Sequence, residues 1–216
     1  METPSTVPEE FGLLIEQLVG VTDHRFARGK IHPLIGVLGL TVLVLMAGGR
    51  SMSDISRYGK AHPEVLGPLG LRRSPSVATL SRVLRQVSVQ ELRQALARFV
   101  VALASRRGAD LSVVAVDGKW LRGTWEGGRQ AHLLHLFAQN GTLALDQRQV
   151  QNGNGTGSEW DVATAWMEQL VHDFPSLEIL TGDAAFAERD LCSAIVSAQR
   201  DFVFRLKKTR NASTPT

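Results

Sequence analysis

Cysteine is almost absent from this sequence of 216 residues, which contains only Cys192. A single cysteine excludes a disulfide framework, a cysteine-liganded zinc site and an iron–sulfur cluster. Low-complexity segments are also absent, except at the two ends. Because 44% of the residues are hydrophobic, a chain of this length can bury a core of its own. The disordered and small secreted classes of protein are therefore excluded.

Signals for a membrane are weak as well. Residues 1–10 are acidic and contain proline, so they lack the basic n-region of a signal peptide. One uncharged run, residues 33–49, reaches the lower limit of about 17 residues for a membrane span. Gly36 and Gly39 lower its helix propensity, and we interpret it as a buried helix of a soluble bundle. A membrane-associated helix is the alternative.

Net charge differs between the two halves of the chain. Residues 1–108 have a net charge of +6, residues 109–200 a net charge of −6, and the last sixteen residues a net charge of +3. A basic half joined to an acidic half predicts a polyanion-binding module beside a carboxylate-rich one. Ordinary variation in surface charge is the alternative.

The hydrophobic periodicity changes near Gly108. Before it, apolar residues recur at helical spacing, and Ser51 and Ser88 each begin a capping-box pattern. After it come short apolar runs typical of buried strands. The predicted order is three strands, a helix, a strand, a helix and a strand, over residues 113–116, 132–138, 143–151, 158–170, 177–181, 188–198 and 201–207. The predicted domains are a flexible N-terminus, a helical domain, a sheet domain and a disordered tail, over residues 1–10, 11–108, 109–208 and 209–216.

This order predicts an α+β protein. An N-terminal helical domain would be followed by an incomplete ribonuclease H-like domain with a mixed β-sheet and crossover helices. A three-strand meander followed by crossover helices is the ribonuclease H-like order. In that topology the first and fourth strands lie side by side and parallel at the centre of the sheet, and right-handed crossovers form this arrangement readily.

Two aspartates, Asp117 and Asp183, follow the first and fourth predicted strands, each beside a glycine. If these strands are neighbours, about 4.8 Å apart, the carboxylates converge and repel each other unless a cation lies between them. Two Mg²⁺ ions about 3.5–4 Å apart would satisfy both carboxylates and promote phosphoryl transfer. Both residues are therefore candidate catalytic and metal-binding residues. The alternative is that each aspartate caps a turn or a helix.

Several segments carry a family resemblance. Val116–Gly123 reads VDGKWLRG, Thr181–Ala184 reads TGDA, Asp201–Lys207 reads DFVFRLK, and Ser74–Val83 reads SPSVATLSRV. These resemble, in order along the chain, segments of bacterial insertion-sequence transposases of the DDE superfamily, in the H-repeat-associated group. The first segment is the most specific, since it is similar to the family's IDGKTLRGS. The last resembles part of the family's helical N-terminal associated domain.

The sequence also departs from this family. Its usual KSNE segment corresponds here to Thr156–Glu159, of which only Glu159 is shared. The family's third acid, a glutamate on a later helix, would fall beyond Thr216. The resemblance therefore implies a C-terminally truncated chain in which Asp117 and Asp183 bind Mg²⁺ or Mn²⁺ weakly, with little strand transfer.

Six cations are candidates for binding DNA phosphates: Arg72, Arg73, Arg82, Arg85, Lys119 and Arg122. The four in the basic half lie on or just before a predicted helix, where phosphate contacts follow from their charge. The two that follow the first aspartate could clamp a phosphate beside the metal site. The alternatives are a solvated helix face for the first four and ion pairs with the aspartates for the last two.

The resemblance implies a transposase-family protein for DNA transposition. In the complete family the chemistry is Mg²⁺-dependent phosphodiester hydrolysis and strand transfer, and we expect this chain to be catalytically incomplete. The expected partners are DNA at insertion-element ends and a full-length transposase or a second copy of the chain, with no membrane partner. The expected location is the cytoplasm, in association with the nucleoid. A non-catalytic DNA-binding or transposase-interacting protein is the alternative function.

Overall fold

The structure is a computed structural model that describes residues 9–26, 30–126, 129–140, 143–150 and 159–206, and their side chains except those of residues 121–126 and 129–131. Contacts divide the chain into two compact units, Met1–Leu103 and Ala104–Thr216. The predicted C-terminal tail, the glycine-rich loop before Glu159 and most of the predicted flexible N-terminus lie outside the described residues.

Helices form the described part of the first unit. They are α1 (Glu9–Leu18), α2 (Leu34–Met46), α3 (Met52–Ala61), α4 (Val77–Leu84) and α5 (Val89–Arg107), with a 3₁₀ turn at Pro63–Val65. Their apolar side chains pack into one hydrophobic core. Helices α2 to α5 lie within residues 11–108, the range for which the sequence predicts a helical domain.

The uncharged run forms α2 within this core, as the sequence predicts. Val37 and Leu40 are fully buried. Gly36 permits a close approach, since a Cβ at this position would lie only 2.2 Å from the backbone oxygen of Leu69. Packing therefore stabilises this helix despite its glycines. Within the described ranges, no helix combines the length and the apolar character needed to cross a membrane.

Side-chain caps begin two of the helices at the predicted positions. The Ser51 hydroxyl accepts a hydrogen bond from the backbone N–H of Asp54 at 3.1 Å. The Ser88 hydroxyl accepts one from the N–H of Glu91 at 3.2 Å. Each cap satisfies a backbone donor that the helix itself leaves unpaired.

The second unit contains a five-stranded mixed sheet in the order β3-β2-β1-β4-β5. Its elements are β1 (Val113–Glu126), β2 (Arg129–Ala138), β3 (Ala144–Val150), α6 (Glu159–Asp173), β4 (Ile179–Gly182), a 3₁₀ turn (Ala184–Phe186), α7 (Arg189–Ser197) and β5 (Asp201–Phe204). The first three strands are antiparallel, and β4 is parallel to both β1 and β5. The α+β class and the parallel pairing of the first and fourth strands are confirmed.

The end predicted for β1 at Asp117 and Gly118 is wrong. The strand continues to Glu126 because these residues pair with β2, with a register shift between Trp120 and Trp125. Only the pairing with β4 stops early, since Ala115 is the last residue of β1 in that ladder. Asp117 therefore lies within a strand, just past the point where β1 and β4 separate.

The two faces of the sheet have different surroundings. Leu134 is fully buried, and its partner on β3, Arg148, places its guanidinium 4.7 Å from the ring centre of Trp166 on α6. Gly118 pairs with Leu134 and shares this helix-covered face. Asp117 lies on the opposite face, because successive residues of a strand point to opposite sides.

Candidate active site

Strand register brings Asp117 and Asp183 to neighbouring positions. The last described pair between β1 and β4 is Ala115 with Thr181. Asp117 lies two residues further along β1, and Asp183 lies two residues after Thr181, just past the end of β4. Residues paired across parallel strands share a face, and so do the residues two positions further along. Both aspartates are exposed. The β1–β4 register therefore brings the two aspartates to the same end of this strand pair, with Asp117 on the face opposite α6.

The two strands remain close beyond their last ladder pair. A Cβ placed on Gly182 would lie 3.0 Å from Cγ1 of Val116. These two residues immediately precede Asp183 and Asp117. A larger residue than glycine at this position would require the Val116 side chain to shift by a few tenths of an ångström.

Asp117 has a cation and a histidine as neighbours. Its Oδ2 lies 3.5 Å from Nζ of Lys119, and both side chains are more than half exposed. His135 is its cross-strand partner. Burial lowers the pKa of His135, Lys119 lowers it further, and Asp117 opposes them. The ion pair considered for Lys119 is present, and it leaves the Asp117 carboxylate accessible to solvent.

Asp183 caps the 3₁₀ turn that follows β4. Its Oδ1 accepts a hydrogen bond from the N–H of Ala185 at 2.8 Å. Its other oxygen, Oδ2, has no hydrogen bond within the described ranges and stays available to a ligand. Asp183 therefore caps the turn, as the alternative interpretation predicts, but it uses only one of its two carboxylate oxygens to do so.

Glu159 at the start of α6 lies on the opposite face of the sheet. A Cβ on Gly118 would lie 2.2 Å from its Oε1, so glycine is needed here for the carboxylate to approach the strand. The same oxygen lies 2.7 Å from Nε2 of His132, although the two atoms lack hydrogen-bond geometry. His132 is 5% exposed and stacks on Trp120, with ring centres 4.2 Å apart.

Sequence reasoning missed this cluster of Trp120, His132 and Glu159. The cross-strand pairing of the tryptophan with the histidine joins them, and that pairing exists only because β1 is longer than predicted. Of the three residues, only Glu159 could be noticed from the sequence, because it is the residue shared with the family's KSNE segment.

The two aspartates suit one hard divalent cation. Carboxylate oxygens are the ligands that Mg²⁺ and Mn²⁺ prefer, and Mg²⁺ usually keeps several water ligands. Across the part of the chain that the structure describes, no three His, Cys, Asp or Glu side chains form a group able to hold a metal. The residues present therefore fit a weakly held ion.

The predicted phosphate-binding cations are dispersed. Arg82 lies in α4 and Arg85 directly follows it, while Arg72 and Arg73 precede the helix; all four are exposed. Arg82 shares a cavity with Arg25 and Lys30, two cations that sequence reasoning did not select. The Arg122 side chain lies outside the described part of the structure.

Comparisons with known proteins agree with the resemblance seen in the sequence. Residues 15–100 match the family described as DDE_Tnp_1-associated. Over 92% of its length, the chain is 26% identical to the protein YbfL of Escherichia coli strain K12. It is 25% identical to YhhI over 93% of its length, and 24% identical to YbfD over 92%. The last two K12 proteins are both named as H repeat-associated putative transposases.

These matches indicate the class of protein: they support the DDE transposase family for this chain, and within it the H-repeat-associated group. The chain spans 52% of the length of YbfL and of YhhI, and 77% of that of YbfD.

Solved structures show only distant similarity. A piggyBac transposase synaptic complex with hairpin DNA has a TM-score of 0.41 at 10% identity, covering 96% of this chain and 52% of that one. The Mos1 transposase catalytic domain, solved with raltegravir and Mg, has a TM-score of 0.30 at 14% identity, covering 51% and 58%. Such low TM-scores support no conclusion on activity.

Proposed function

We propose that this chain is a DNA transposition protein whose second unit is an incomplete ribonuclease H-like domain, with Asp117 and Asp183 as its catalytic and metal-binding pair. One observation supports the proposal: β1 and β4 pair in parallel, and their last pair, Ala115 with Thr181, lies two residues before Asp117 and Asp183. Similarity to the DDE transposase family supports the same reading.

Asp117 and Asp183 would hold Mg²⁺ or Mn²⁺. The bound metal would activate an attacking hydroxyl and stabilise the leaving oxygen of a DNA phosphodiester. Lys119 contributes a cation beside the pair, where it can neutralise Asp117 or contact a phosphate. Arg122 is proposed for the same phosphate.

Catalysis by this chain alone is proposed to be weak. A metal site for phosphoryl transfer needs its ligands held in defined geometry. The described residues bring two carboxylates to this face, whereas Glu159 approaches the strand from the other face. We expect little strand transfer from the 216-residue chain.

A non-catalytic DNA-binding or transposase-interacting role is the second candidate. It is favoured by the partners that the two aspartates already have, an ion pair with Lys119 and a cap on Ala185. The exposed arginines of the helical unit would then bind DNA at insertion-element ends, and a full-length transposase or a second copy of the chain would be the protein partner.

Metal titration separates these two functions. Wild type should bind Mn²⁺ weakly by calorimetry and nick supercoiled plasmid slowly in Mn²⁺. The double variant Asp117→Asn, Asp183→Asn should lose at least about tenfold in Mn²⁺ affinity and lose the nicking, because both charged ligands are gone. Asp190→Asn is the matched control, since this exposed aspartate lies on α7. Unchanged Mn²⁺ affinity in the folded double variant would contradict the proposed metal site and favour the non-catalytic role.

A further inference from the structure

A small cationic cavity lies in the first unit, between the segment that follows α1 and the helix α4. Its volume is about 220 Å³. Three cations line it, namely Arg25, Lys30 and Arg82, together with polar Thr79 and the exposed ring of Phe26. Neither the proposed metal site nor the family resemblance uses it.

Two of the cations are fixed in position. Arg25 donates from Nε and Nη2 to the two oxygens of Asp23 at 2.8 and 2.7 Å, and also to the carbonyl of His32 at 2.9 Å. Lys30 Nζ donates to the Asp23 carbonyl at 3.2 Å. The hydrogen bonds from Arg25 hold the pKa of Asp23 far below its usual range. Lys30 Nζ also lies 3.5 Å from Oδ2 of Asp23, so one carboxylate faces both cations and leaves a positive surplus at the cavity.

Arg82 is the cation open to a ligand. It reaches the cavity from α4, and its Nε bonds to the Ala78 carbonyl of its own helix at 3.3 Å. No ion pair of Arg82 is found among the described residues. Its terminal nitrogens can therefore donate to a phosphate in the geometry that guanidinium favours.

Phe26 is unusual in being 92% exposed. Burying a phenylalanine side chain is favourable, so a ring left in water beside three cations forgoes that gain. Aromatic side chains next to cationic grooves stack on unpaired bases of single-stranded nucleic acid. Paired bases inside a duplex cannot offer a face to the ring.

We propose that this cavity binds one unpaired nucleotide of DNA, with Arg82 on the phosphate and Phe26 stacked on the base, while Arg25 and Lys30 add positive charge around the phosphate. The inference rests on the proposed DNA-binding function and adds a preference for unpaired over paired DNA. It assigns the recognition of strand ends or distorted DNA to the helical unit.

Binding of two matched DNA probes tests the stacking. The full chain is titrated, by fluorescence anisotropy, into a blunt duplex and into the same duplex with a short overhang carrying 2-aminopurine. The overhang should bind at least about fivefold more tightly and its 2-aminopurine fluorescence should be quenched. Phe26→Ala should remove both effects and leave blunt-duplex binding intact, while Phe26→Tyr should retain them. Met46→Ala is the control, because Met46 is also an exposed apolar side chain of this unit, at 75%.

A charge variant tests the phosphate contact. Arg82→Gln should lower the affinity for the overhang probe more than the affinity for the blunt probe, because only the unpaired nucleotide enters the cavity. Lys60→Gln removes an exposed cation of α3 outside the cavity. It should leave the ratio of the affinities for the two probes unchanged. If Phe26→Ala leaves the overhang preference unchanged, the cavity proposal is overturned while DNA binding stands. If neither probe binds, the DNA-binding function itself fails.

Discussion

Gly36 shows how a single residue sets the packing of the helical core. An alanine Cβ at this position would lie 2.2 Å from the Leu69 oxygen and 3.0 Å from the Leu71 side chain. Backbone cannot yield as a flexible side chain does. We therefore expect Gly36→Ala to lower the free energy of unfolding by about 1–3 kcal/mol, measured by urea denaturation with circular dichroism.

Gly12→Ala in α1 is the matched control for that prediction. A Cβ there meets nothing within 4 Å, so only the helix propensity changes. It should raise the free energy of unfolding by about 0.5–1 kcal/mol. Equal effects of the two substitutions would show that the close approach at Gly36 has no energetic weight.

At the scale of elements, local signals predicted helix starts well and strand ends poorly. The cap at Ser51 depends on residues within one turn, so the sequence contains all of the information. The end of β1 depends on β2, because Asp117 pairs with His135 eighteen positions away. Polar residues continue the strand where cross-strand pairing satisfies the backbone. The Trp120–His132–Glu159 cluster escaped sequence reasoning for the same reason.

The cap of α3 gives the prediction at this scale. Ser51 accepts from the N–H of Asp54 and donates to its Oδ2 at 2.8 Å. Ser51→Ala should lower the free energy of unfolding by about 0.5–2 kcal/mol, because a helix donor loses its partner. Ser53→Ala, an exposed change within the same helix, should change stability by less than about 0.5 kcal/mol. Thermal unfolding of both variants checks this, and equal losses would contradict the capping role.

At the scale of the whole chain, topology could be predicted because hydrophobic runs and crossover rules left few arrangements. Placing β1 beside β4 followed from strand order alone, and the structure confirms that parallel pairing. The cationic cavity could not be predicted. Arg82 is more than fifty positions from Arg25 and Lys30, and their meeting depends on how the segment after α1 packs beside α4.

The division of charge between the halves predicts where the salt dependence of DNA binding arises. Each phosphate contact contributes about 0.9 to the slope of log affinity against log salt concentration. Arg72→Gln, Arg73→Gln in the basic half should therefore reduce the slope for a blunt duplex by about 1.8. The control Arg189→Gln, Arg205→Gln removes two exposed cations from the second unit and should leave the slope unchanged. Equal reductions of the slope in both double variants would mean that DNA binding depends on the total charge of the chain. That result would contradict the binding role assigned to the helical unit.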